Sequence, residues 1–71
     1  MGYLIKSSDG VTLSREDEAD ALALVRKLGS EGWVGGVARA YAEDGSLEIT
    51  VRRDPGGVVE TDWRTGQERR L

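Results

Sequence analysis

The amino-acid sequence predicts a small α+β domain. An N-terminal β-hairpin and one α-helix are followed by a three-stranded antiparallel meander (ββαβββ), with the helix packed on one face of the sheet. Three observations lead there. Asp-Gly and Asp-Pro-Gly-Gly turn signals stand at residues 9–10, 44–45 and 54–57. One stretch, near 15–28, repeats its apolar residues with the helical period, whereas from Trp33 onward the period is two. The chain has 71 residues, so a single domain spanning 1–71 is expected. So short a chain buries only about 60% of its unfolded surface.

The stretch YLIKSSDGVTL, residues 3–13, reads as the hairpin. With Ser7–Gly10 in a type I turn closed by a glycine bulge, Ile5 faces Leu13 and Ser7 faces Val11. Tyr3, Ile5, Val11 and Leu13 then share one side. Ser14 opens the run SRED and is a favoured N-cap, with Asp17 in the reciprocal capping position. The helix is expected over 15–28, ended by Gly29. Glu16, Asp17, Glu18 and Asp20 suit its positive end, and Arg26 and Lys27 its negative end. Ala21, Leu24, Val25 and Leu28 form one apolar stripe with Leu22 at its flank, while Ala19, Ala23, Arg26 and Lys27 point away.

The meander strands are expected near 34–43, 46–53 and 58–64. Thr65-Gly66 can turn the last residues back as a short extra strand, which would set Arg69 against Asp62. If Gly57 is a bulge, Arg52 faces Glu60, Thr50 faces Asp62 and Glu48 faces Arg64, while Val51 faces Thr61 and Ile49 faces Trp63. One side of the hairpin is then apolar and the other carries complementary charges. Trp33 and Trp63 are read as core or core-edge residues. The hairpin at Asp44-Gly45 leaves two registers open. In one, Ala38, Ala40 and Ala42 join Leu47, Ile49 and Val51 inside, and Arg39 and Tyr41 stand outside beside Thr50 and Glu48. In the other, Val37, Arg39 and Tyr41 turn inward. The cost of burying an unpartnered Arg39 favours the first, in which the inner row of alanines suits a helix packed very close.

Composition excludes much. There is no cysteine and no histidine, which removes disulfides, zinc sites built on either residue, and the catalytic dyads and triads that need them. The net charge is −3, which mildly repels nucleic acid. No apolar run approaches the ~20 residues of a membrane span, and MGYLIKSSDG lacks the pattern of a signal peptide; a cytoplasmic location is expected. The run EDEAD could hold a divalent cation weakly, but acids in a first helical turn have a sufficient structural reason. GSEGWVGGVA follows the helix and lacks a G-K-[ST] ending, so it is a connection and not a phosphate loop. No cofactor, metal site or catalytic residue is expected.

These exclusions leave a non-enzymatic protein–protein interaction or assembly module, a homo-oligomer or a subunit of a larger complex. Its contact surface would be the outer face of the meander: Arg39, Tyr41, Glu48, Thr50 and Arg52, with Arg64 beside them. Tyrosine and arginine are enriched in such surfaces. One alternative is a nucleic-acid-associated regulatory protein using Arg53, Arg64, Arg69 and Arg70. Against it, residues 49–71 hold five basic and four acidic side chains, a net of only +1. A second alternative is a ligand-binding or catalytic subunit with its site at an oligomer interface.

Overall fold

The computed structural model describes residues 2–71. Its elements run β1 (Tyr3–Ser7), β2 (Thr12–Arg15), α1 (Glu18–Glu31), β3 (Val37–Tyr41), β4 (Glu48–Asp54), β5 (Gly57–Asp62) and β6 (Gln67–Arg70). All strands pair antiparallel in one six-stranded sheet of order β2-β1-β3-β4-β5-β6. The α+β class and the helix-on-sheet arrangement are as the sequence predicts. The terminal residues add a fourth strand after the helix.

The first two hairpins follow the expected registers. Gly10, at φ 95°, closes the bulged turn, and Ile5 pairs with Leu13. In the second, Ala38 opposes Val51, Ala40 opposes Ile49 and Tyr41 opposes Glu48. Ala38 and Ala40 are therefore inside, and Arg39 and Tyr41 are outside.

The helix begins and ends three residues later than expected. Pairing with β1 carries β2 through Ser14 to Arg15, so Ser14 belongs to a strand and Asp17 takes the N-cap position without a side-chain cap bond. Gly29 lies inside the helix, fully packed, and Gly32 follows its end. The reason is steric. A Cβ at Gly29 would lie 2.4 Å from a Val51 methyl and 2.7 Å from the Val51 carbonyl oxygen. This glycine is there for close approach, not for termination. Ala21, Val25 and Gly29, one turn apart, form the buried line of α1. They rest with Ile5, Ala38, Ala40, Leu47, Ile49 and Val51 in one core, flanked by the partly buried Leu22, Leu24 and Leu28.

The largest correction comes at the third turn. Pro55 and Gly56 alone make the loop, with Asp54 paired to Gly57 and the Asp54 carboxylate accepting the Gly56 N–H at 3.0 Å. Gly57 takes φ 137° within the strand and adds no bulged residue. The register therefore moves by one, and β5 shows each side chain on the face opposite to expectation. Val51 faces Glu60, Thr50 faces Thr61 and Ile49 faces Asp62. The final turn also differs. Four residues, 63–66, bridge Asp62 and Gln67, so Arg69 opposes Glu60 and not Asp62.

Substitution of Gly29 by alanine tests the close approach. It gains about 1 kcal/mol of helix propensity, yet overpacking against Val51 is expected to outweigh this and lower stability by roughly 1–3 kcal/mol. Urea unfolding measures the difference. A midpoint equal to or above that of the parent would mean that α1 can lift from the sheet.

Candidate functional site

The strand register decides which side chains meet on the face that α1 leaves bare. Three rows cross it. Leu4, Tyr41 and Glu48 stand abreast, and Trp63, whose N–H donates to the Glu48 carbonyl at 3.0 Å, ends that row. Lys6, Arg39, Thr50, Thr61 and Glu68 form the second. Val37, Arg52, Val59 and Arg70 form the third. Arg39, Tyr41, Glu48, Thr50 and Arg52 therefore lie together, as the sequence suggests.

Six of the seven charged side chains on this face are paired within the chain; among the described residues Lys6 forms no ion pair and lies 5.9 Å from the Tyr41 ring centroid. Arg39 donates to both Glu48 carboxylate oxygens, at 2.6 and 2.7 Å, a planar fork matched to a planar carboxylate. Its guanidinium stacks 4.0 Å from the Tyr41 ring centroid, within cation–π range. The bond from Arg39 holds the Glu48 carboxyl below its usual range, against the smaller opposing effect of burial. Arg52 reaches Glu68 at 3.1 Å, and Arg70 reaches Asp54 at 3.4 Å.

Trp63 belongs to this face, which corrects its expected place in the core. The one-residue register change carries it outside, where it is 59% exposed and donates its indole N–H to the Thr50 hydroxyl at 2.9 Å. Beside that hydroxyl, Thr61 is only 4% exposed, and its own hydroxyl has no partner among the described residues. Trp33, in the α1–β3 connection, is likewise exposed, at 57%. Sequence reasoning missed Trp63 because a tryptophan in an alternating strand points in or out according to turn length alone.

Arg64 goes to the other side. It bonds Asp62 at 3.0 and 3.1 Å and the Ser46 carbonyl, and it lines an open groove of about 500 Å³ beside α1 with Leu22, Arg26, Glu60, Asp62 and Arg69. The groove exists because α1 lies over β1, β3 and β4 and barely reaches β5. Glu60 and Asp62 are satisfied by arginines that line the same groove. Glu60, only 7% exposed, is clasped by Arg26 at 2.6 Å and by Arg69 at 3.3 Å. The bond from Arg26 draws the Glu60 carboxyl below its usual range, although burial opposes this. Arg26, expected to point into solvent, instead ties the helix to β5. Among the described residues no three His, Cys, Asp or Glu side chains converge as a metal site, and no helix is long and apolar enough to cross a membrane.

Fold and face define a class: a two-layer α+β domain whose sheet is covered on one side and bare, charge-paired and aromatic on the other. No protein-family model, curated protein or solved structure matches the chain.

The clasped Glu60 makes a pH prediction. Its carboxyl binds protons less readily folded than unfolded, so its contribution is complete above the unfolded value near ~4.3. That contribution is lost as pH falls through the depressed folded value. Glu60→Gln is expected to lower stability by roughly 1–2 kcal/mol at neutral pH, less at high salt, and to flatten the acid limb of the stability profile. Urea unfolding between pH 7 and pH 2.5 or so measures it; parallel profiles for parent and variant would contradict the clasp.

Proposed function

We propose that the chain is a small, non-enzymatic protein–protein interaction or assembly module that binds through the bare face of its sheet. The observation that carries this reading is the chemistry of that face. Trp63, Tyr41, Arg39 and Arg52 are of the residue types that dominate interface energetics, and Val37 adds exposed apolar surface at 40%. The arginines are held in place by carboxylates of the same chain, so a partner need not supply counter-charges. Pre-ordering these long side chains reduces the entropy lost on binding.

The nucleic-acid reading draws less support. Arg53 donates to the Gly32 carbonyl at 2.8 Å, and Arg64, Arg69 and Arg70 are all engaged with Asp or Glu. A phosphate-binding surface needs cations free to release counterions.

Native mass spectrometry of the protein purified gently from its source tests the proposal. A complex of more than one polypeptide is expected, its mass either a multiple of 7.7 kDa or including a different protein. A bare monomer would overturn the reading, and a co-purifying oligonucleotide would replace it with the nucleic-acid alternative.

A further inference from the structure

We infer that the occupant of the bare sheet face is a second copy of this chain, stacked face to face about a two-fold axis. This rests on the reading of the face as a protein contact and goes further by naming the partner.

Charge is the first argument. The face carries Lys6, Arg39, Arg52 and Arg70 against Glu48, Asp54 and Glu68. Four cations and three carboxylates leave it at +1, whereas the whole chain is at −3, so the remaining surface holds −4. Acids are concentrated where α1 starts, at Glu16, Asp17, Glu18 and Asp20. The acidic helix start is therefore opposed to its own copy by like charge, whereas the sheet face is close to neutral. Stacked by their sheets, two copies keep their helices and acidic ends on the outside of the pair.

Self-complementarity is the second argument. A two-fold contact sets each patch against its own counterpart or against its mirror position in the list of contacts. A strongly one-signed face cannot do this. A face whose ions, Lys6 apart, are already neutralised in-chain can, because stacking it separates none of those pairs. Tyr41, Trp63, Leu4 and Val37 then supply apolar area on both sides of the seam.

Size is the third argument. The molecule measures 35 × 26 × 16 Å, and the shortest dimension is the depth of its two layers. The broad face is thus comparable with the ~800 Å² per partner of a standard stable interface. Stacked sheets of this kind sit about 10 Å apart, a spacing the Trp63 and Tyr41 side chains can fill.

Sedimentation velocity on the intact chain, from low micromolar to about 1 mM, tests the inference. The expected result is a concentration-dependent dimer that persists or tightens as salt is raised, since salt screens the residual repulsion. Trp63→Glu is expected to weaken dimerisation at least ~30-fold with an unchanged circular-dichroism melt. Trp33→Glu, a matched exposed tryptophan off the face, is expected to leave dimerisation intact. If Trp63→Glu does not fold, Val37→Glu on the same face serves in its place. A parent that stays monomeric throughout overturns the inference, while the broader reading survives if native mass spectrometry shows a different protein bound. A dimer that persists in a folded Trp63→Glu or Val37→Glu variant also overturns it, by moving the contact to another surface.

Discussion

The contact between Gly29 and Val51 governs the rest of the molecule. A side chain at residue 29 would have to share space with a Val51 methyl and carbonyl, so the helix can approach the sheet only because glycine leaves that space empty. Alanines at 38 and 40 lower the opposing surface to match. This close seating lets a 14-residue helix and a handful of small side chains exclude water from one core. It also fixes where the helix lies, over β1, β3 and β4, and hence which parts of the sheet receive no cover.

Two kinds of surface result, and they are stabilised differently. Beside the helix, on β5 and β6, polar side chains fill the gap through the Arg26–Glu60–Arg69 clasp and the Arg64–Asp62 pair. A nearly buried carboxylate with two guanidiniums is costly to desolvate and tolerable only because both are bound to it. On the opposite face nothing is dehydrated in the single chain apart from Val59 and Thr61. There the arginines stay half-exposed while their carboxylates restrain them. The first surface is finished within one chain, whereas the second is ordered but not closed.

The architecture was legible because its signals are local. Asp9-Gly10 and Asp44-Gly45 each specify a turn, the helical stripe at Ala21, Leu24, Val25 and Leu28 specifies a packed face, and the penalty on a buried Arg39 selected the register of β3 against β4. What was not legible depended on competition between levels. Ser14 is a good cap, but cross-strand pairing with Leu4 claimed it first. Gly29 is a good helix terminator, but its value here is tertiary. The Asp54–Gly57 stretch can be closed by two residues or by a bulge, and sequence alone does not weigh those options. That one-residue choice inverted β5, exchanging Trp63 with Arg64 and sending Glu60 toward the helix. The candidate face was therefore found in its β3–β4 half and missed in its β5 half, including its most exposed aromatic residue.

The last strand differs in kind from the others. β6, residues Gln67–Arg70, is exposed throughout and is held by backbone bonds to β5 and by ion pairs to Glu60, Asp54 and Arg52. It carries no apolar anchor among its four residues. Its chief apolar neighbour is Val59, which pairs with Arg70 and is 2% exposed, so it is held more by charge and backbone bonds than by apolar packing, the character of segments that open before a core does. What β6 covers is the outer row of donors and acceptors of β5, a row along which another extended segment could otherwise add. The sheet thus has two borders, β2 and β6, and the second is fastened by ion pairs that salt and acid weaken.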